Sequence, residues 1–267
     1  MEEKIRADLL LCKLNLAESR EKAKNMIQSG AVYKGSEKID KPSLLLPADT
    51  VLEIKGETLK YVSRGGLKLE KAVKAFNISL EGLISMDIGA STGGFTDCML
   101  QNGAEKVYAV DVGSNQLHEK LKNDSRVVNL EKTNARNITK EIVPEDIDFI
   151  SCDVSFISLK IMLPVIYSLL KNEGEALCLI KPQFEAGKQN IGKNGVVKDK
   201  AVHREVVKSI YDFSLSLGFK IKALSFSPIK GPEGNIEYLI YLKKTENNES
   251  VSIDIKNVVE NSHKELK

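Results

Sequence analysis

DIGASTGGFTD, residues 87–97, decides the fold. The apolar run ISM leads into it, and the helical pattern FTDCMLQNG (95–103) leads out. Strand, glycine-rich turn and helix in that order mark the first crossing of an open α/β sheet, where such sheets hold their ligands. The turn's glycines are Gly89, Gly93 and Gly94, which do not fit GxGxxG, and no Gly-Lys-Ser/Thr follows. Dinucleotides and nucleoside triphosphates are thereby disfavoured. Asp87 at the head of the turn would repel a phosphate at the helix N-terminus. The stretch asks for a ligand with both an anionic and a cationic end.

Working outward, KVYAVDVG (106–113), RVVNLE (126–131), IDFISCDVS (147–155) and EALCLIKP (175–182) read as buried parallel strands. SNQLHEKLKN (114–123), ISLKIMLPVIYSLLKN (157–172) and KAVHREVVKSIYDFSLSLG (200–218) read as helices, and KIKALSFSPI (220–229) and IEYLIYLKK (236–244) as two closing strands. That pattern predicts a doubly wound, Rossmann-like α/β sheet. Residues 1–58 differ. IRADLLLCKL and SREKAKNMIQSG read as helices, the second capped by Ser19 and stopped by Gly30, with short strands AVYKG and TVLEIKG after them. We expect a small α+β domain over 1–58, a linker at 59–63, the large domain at 64–244, and a tail at 245–267 with a short helix around Ile255, Val258 and Val259.

Composition narrows the function. Of 267 residues, 28% are charged and 42% hydrophobic, ordinary material for a packed core. The net charge of +2 means that any nucleic-acid surface must come from local placement. Cys12, Cys98, Cys152 and Cys178 form no CxxC, and His118, His203 and His263 lie in separate segments. No metal and no disulfide is expected. The N-terminus is charged throughout and the longest apolar runs, such as LPVIYSLL, fall far short of a membrane span. A cytoplasmic protein with no membrane partner is the expectation, and the oligomeric state stays open.

S-adenosylmethionine fits the glycine turn. It has no phosphate, and it carries a sulfonium, an ammonium and one carboxylate. The carboxylate suits the loop amides and helix N-terminus, while Asp87 favours the cationic end. The expected cofactor loop is Asp87, Gly89, Ala90, Ser91, Thr92, Gly93, Gly94 and Phe95, with Asp111 at the end of the second strand as the ribose acid. Asn134 and Asp153 are further candidates for cofactor contact. A plain glycine turn with an N-capping carboxylate is the alternative.

Parallel strands deliver Asp153 and Lys181 to one sheet edge, and Glu237 joins them if the last strand runs antiparallel. Lys68, in the helix before the first strand, can close the cleft from above. Two lysines and two acids around a methyl donor suit transfer to an alcohol, which needs a base to take its proton. Lys181 is the expected base, with Lys68, Asp153 and Glu237 positioning the hydroxyl and tuning the lysine. Singly, each has a plainer reading as a solvated or turn charge; their convergence argues for function. The long loop KPQFEAGKQNIGKNGVVKDK (181–200) is either a substrate-binding lid or simply mobile, and its lysines tilt it towards RNA backbone.

DIGASTGGFTD, VDVG, CDVSFISL, LIKPQFE and GNIEYL together resemble the TlyA family, once described as haemolysins. That resemblance implies an RNA-binding domain of the ribosomal protein S-four type joined to an FtsJ-like methyltransferase domain. It also implies methyl transfer from S-adenosylmethionine to the 2′-hydroxyl of cytidine in ribosomal RNA. Its Lys-Asp-Lys-Glu tetrad falls on Lys68, Asp153, Lys181 and Glu237. Related stand-alone RNA methyltransferases carry an aromatic in the SRxxxKL segment, where this chain has Gly65, Gly66 and Leu67. How the target base is stacked stays open.

Residues 1–60 contain eleven Lys/Arg and ten Asp/Glu, so RNA contact there must rest on a stripe such as Arg6, Arg20, Lys24 and Lys34. Arg64, Lys188 and Lys193 extend the expected RNA surface. The partner is ribosomal RNA or a ribosomal subunit. A non-catalytic RNA-binding module has no reason to keep the full tetrad, and a lytic protein lacks a spanning helix or strong charge.

Overall fold

The computed structural model describes residues 4–28, 30–55, 60–192, 194–231, 233–246 and 251–266. It separates into two compact units, Met1–Lys60 and Tyr61–Lys267.

The first unit runs β1 (Lys4–Arg6), α1 (Ala7–Lys13), α2 (Arg20–Gln28), β2 (Val32–Lys34), β3 (Glu37–Lys38), β4 (Leu45–Pro47) and β5 (Glu53–Ile54). β1 pairs with β4, and β2 lies between β3 and β5, all antiparallel. Ser19 Oγ accepts from the Lys22 amide at 3.1 Å, so the expected cap of α2 is present. Leu10, Leu11, Ala23, Ile27, Val32 and Ile39 form the core. The strands of two or three residues were too short to show a period in sequence.

The second unit runs α3 (Gly66–Phe76), β6 (Ile84–Ile88), α4 (Gly94–Gln101), β7 (Lys106–Val110), α5 (Glu119–Lys122), β8 (Val127–Leu130), β9 (Ile147–Cys152), α6 (Leu159–Leu169), β10 (Leu170–Ile180), α7 (Pro182–Glu185), α8 (Lys200–Ser216), β11 (Phe219–Phe226), β12 (Tyr238–Lys244) and α9 (Ile255–Glu265). One seven-stranded sheet has the order β11-β12-β10-β9-β6-β7-β8. β12 is antiparallel to both neighbours, and the pairs from β10 to β8 are parallel. This is the doubly wound sheet that the sequence predicted.

Side-chain alternation splits the core into two layers. Met86, Ile88, Ile150 and Cys152 pack on one face with residues of α6, α8 and α9. Val107, Ala109, Phe149 and Leu177 pack on the other with α3, α4 and α5. Two helices are shorter than expected. The 114–123 stretch is helical only over α5, capped by His118 Nδ1, and α6 stops at Leu169, where the chain enters β10. The 245–267 stretch carries α9, which buries Val259 and Ser262 against the large unit.

Candidate active site

The direction of strand order reverses between β6 and β9, which opens a crevice at their C-terminal ends. Gly89 follows β6 and Asp153 follows β9. A Cβ on Gly89 would lie 2.7 Å from the Asp153 carbonyl oxygen, and Gly89 has φ +84°. Only glycine permits that approach. A Cβ on Gly94 would lie 2.8 Å from the Gly66 amide, so α4 and the start of α3 sit tightly together.

Asp87 does not face a ligand as expected. It is 1% exposed, and its oxygens accept from the Thr96 amide (2.9 Å), Thr96 Oγ1 (2.7 Å) and Ser151 Oγ (2.9 Å). Burial pushes its carboxyl up to about 6, with Asp153 adding repulsion while Thr96 and Ser151 oppose. Its task is structural: it ties the glycine turn and the first turn of α4 to β9. Gly93 also turns inward, since a Cβ there would strike Leu117 and Leu121. Thr96 and Ser151 were missed in sequence because a hydroxyl within a strand or helix carries no pattern.

Two adjoining cavities open at this edge. The first, of about 470 Å³, is lined by Gly89, Ser91, Asp111, Asn134 and Asp153 with Val110, Ile157 and Met162. Asp111 accepts from the Ser91 amide (2.8 Å) and the Gly113 amide (2.7 Å), so it orders the turn while keeping lone pairs for hydroxyl donors. Asn134 caps a short 3-10 turn through the Arg136 amide, 3.1 Å away. Glycine amides, an acid at the end of β7 and an apolar wall suit the carboxylate, ribose and purine of S-adenosylmethionine.

The second cavity, of about 570 Å³, shares Gly89, Ser91 and Asp153 with the first and adds Ala90, Thr92, Gly94 and Phe95. Lys68, Lys181 and Glu237 line it too. Lys68 stands in the first turn of α3, Lys181 follows β10, and Glu237 precedes β12, whose antiparallel register sets Tyr238 opposite Ile180. Lys68 Nζ donates to Glu237 Oε2 (2.7 Å) and Asp153 Oδ2 (3.1 Å). Lys181 Nζ pairs with Asp153 Oδ1 at 2.5 Å and donates to Ser155 Oγ at 3.0 Å. Glu237 is 1% exposed and the two lysines 7% each. Thus the four side chains expected from the sequence form one chain of ion pairs.

Electrostatics separates the lysines. Burial alone would lower Lys68, but Asp153 and Glu237 outweigh it and raise the ammonium. Burial would raise Asp153, but Lys68 and Lys181 hold it below the usual carboxylate range. Lys68 is locked between two carboxylates. Lys181 shares one carboxylate, that of Asp153, and touches the Ser155 hydroxyl.

Phe156 went unnoticed in sequence. It lines both cavities, is 91% exposed and has φ +64°. Its ring meets Phe184 at 5.1 Å between centroids and 49° between planes. An exposed aromatic held in left-handed backbone at a cavity mouth marks a contact surface.

The expected RNA residues are dispersed. Arg6 and Arg20 meet at buried Asp8: Arg6 Nη2 lies 2.9 Å and Arg20 Nε 3.0 Å from Asp8 Oδ2. The Arg6 hydrogen bond, with Arg20 assisting against burial, holds that carboxyl down at about 2. Lys24 and Lys34 are exposed and share no contact with this trio among the described hydrogen bonds and ion pairs. In the second unit, Arg64 is exposed before α3 and Lys188 in a short 3-10 turn, while Lys193 lies outside the described residues. Among the described residues there is no metal-binding cluster, and no helix is long and apolar enough to cross a membrane.

The chain is similar to known proteins along most of its length. The family model for FtsJ-like methyltransferases matches residues 61–244. The Bacillus subtilis protein YqxC is 50% identical, over 99% of this chain and 96% of its own length. The 16S/23S rRNA (cytidine-2′-O)-methyltransferase TlyA of Mycobacterium tuberculosis is 38% identical, over 91% of each chain. A solved structure from Streptococcus thermophilus, named as a hemolysin, is 48% identical with a TM-score of 0.79, covering 99% of this chain and 98% of that one. On a doubly wound sheet, with the family model covering more than half of its residues, the chain belongs to the FtsJ-like methyltransferase family.

Proposed function

We propose that this protein transfers a methyl group from S-adenosylmethionine to the ribose 2′-hydroxyl of cytidine in ribosomal RNA. The observation that carries the reading is the Lys68–Asp153–Lys181–Glu237 chain beside the glycine-lined cavity. S-adenosylmethionine supplies the electrophilic methyl when bound. Gly89, Ser91 and Asp111 hold it, and Asp153 stands where the two cavities meet.

Lys181 takes the hydroxyl proton. Lys181 does so as the neutral amine and becomes the ammonium; Lys68 stays charged between its two carboxylates, and the Asp153 carboxylate it holds pairs with the ammonium so formed. Displacement in line with the departing sulfur then needs mainly alignment, which rigid buried ion pairs provide. Phe156 and Phe184 offer faces on which the target base stacks.

The domain roles follow the same reading. Residues 1–58 bind RNA through Arg6 and Arg20, pre-oriented by Asp8, with Lys24 and Lys34 beside them in sequence. Residues 59–63 link this domain to the methyltransferase at 64–244, where Arg64, Lys188 and Lys193 add phosphate contacts. The substrate is ribosomal RNA, free or within a ribosomal subunit, and the reaction is cytoplasmic. The test is incubation with methyl-labelled cofactor and either intact subunits or bare rRNA. Label in RNA is expected; cofactor binding with no label in any RNA form would contradict the reading.

A further inference from the structure

Behind the tetrad runs a buried polar chain that the methyl-transfer chemistry does not use. His203, on α8, is fully buried. Its Nε2 lies 2.9 Å from the Val197 carbonyl oxygen, and its Nδ1 lies 2.7 Å from the Tyr238 hydroxyl. That hydroxyl lies 3.1 Å from Ser262 Oγ on α9. Both Tyr238 and Ser262 are buried.

Proton counting gives the chain a direction. A carbonyl only accepts, so His203 Nε2 carries hydrogen. In the neutral ring Nδ1 then accepts, and the Tyr238 O–H must donate to it. The Tyr238 oxygen can then accept from Ser262, whose single hydrogen is shared with the Val259 carbonyl oxygen 2.8 Å away. Burial lowers the His203 pKa, with His263 adding to it against Val197 and Asp199, consistent with the neutral ring.

The chain ends on the wall of the second cavity, which holds the tetrad and on the proposed reading receives RNA. The Val197 amide donates to Asn235 Oδ1 at 3.0 Å, and Asn235 Nδ2 donates to the Gly195 carbonyl at 2.9 Å. Gly195, Asn235 and Glu237 line that cavity. Asn235 therefore holds the 195–197 wall from the cavity side, and His203 holds it from behind. Tyr238 directly follows Glu237, so the same chain braces the strand start that presents the carboxylate to Lys68. The element at its far end, α9, lies beyond residues 61–244, the stretch that the methyltransferase family model matches.

Resting on the activity argued above, we propose that His203, Tyr238 and Ser262 are positioning residues through which the C-terminal helix fixes the RNA-side wall of the active site. Asp111 and Asn134 line only the first cavity, and Gly195 and Asn235 only the second, so a change in the 195–197 wall reaches RNA before it reaches the cofactor.

The test compares His203→Leu, Tyr238→Phe and Ser262→Ala with His203→Gln in the full-length protein. The Gln amide still donates to a carbonyl and accepts from Tyr238. Calorimetry gives cofactor affinity, filter binding gives RNA affinity, and methyl incorporation gives KM and kcat. His203→Leu and Tyr238→Phe are expected to weaken RNA affinity, and raise the RNA KM, by about tenfold, the scale of one buried hydrogen bond. Cofactor affinity stays within about twofold, and His203→Gln recovers most of the loss. RNA and cofactor affinities falling together, or neither changing in folded Tyr238→Phe, would overturn the proposal. Should His203→Leu not fold, Tyr238→Phe decides. Should the wild type transfer no methyl at all, the activity is refuted separately, and RNA affinity still judges the wall.

Discussion

Asp87→Asn isolates the cost of keeping a carboxylate under the glycine turn. Burial holds this group at about 6 against an ordinary 3.8. The folded state therefore grips the proton more tightly than the unfolded chain does. Its contribution to stability is full below pH 3.8 and is lost as pH rises through about 6. At 1.36 kcal/mol per pKa unit, the complete loss is about 3 kcal/mol, and roughly 1.4 kcal/mol of it falls between pH 5 and 7.5. An asparagine keeps the geometry, because its oxygen accepts from Thr96 and its amide nitrogen donates to Ser151 Oγ. It does not titrate. Urea unfolding of both proteins at pH 5 and 7.5 should show the variant gaining about 1.4 kcal/mol on the wild type as pH rises. Groups that titrate alike in both proteins cancel. A difference that stays flat, or that moves the other way, would refute the assignment of Asp87 as a buried structural carboxylate.

Lys181→Ala should lower the transfer rate at least a hundredfold, the scale of a positioned base, with cofactor affinity retained in calorimetry. Phe156→Ala should raise the RNA KM about tenfold, as expected for one lost base–aromatic stack, while thermal stability stays within a degree or two because the ring is exposed. Arg20→Ala should reduce the salt dependence of RNA binding by about one phosphate contact, measured by filter binding across a salt series, with cofactor affinity unchanged.

The sequence carried the sheet and the tetrad because both rest on period and edge. ISMDI, KVYAV and FISC are apolar runs that read as buried strands, and the residues ending them must share an edge. Glu237 needed only the antiparallel return of β12, which its register with β10 provides. The failures share a cause as well. Asp87 looked like a ligand contact because alternation gives the face of a residue but not its partner, and Thr96 and Ser151 claim it in three dimensions. Phe156 reads as an ordinary turn residue in CDVSF until its left-handed backbone lifts the ring into solvent. The His203–Tyr238–Ser262 chain joins residues 24 and 35 positions apart, so no local pattern announces it.

The most direct measurement is nucleoside mass spectrometry of rRNA after incubation with S-adenosylmethionine and either the wild type or Lys181→Ala. The account predicts 2′-O-methylcytidine with the wild type and almost none with the variant, at equal cofactor occupancy. A methyl group found on a base, or an undiminished yield from Lys181→Ala, would contradict it.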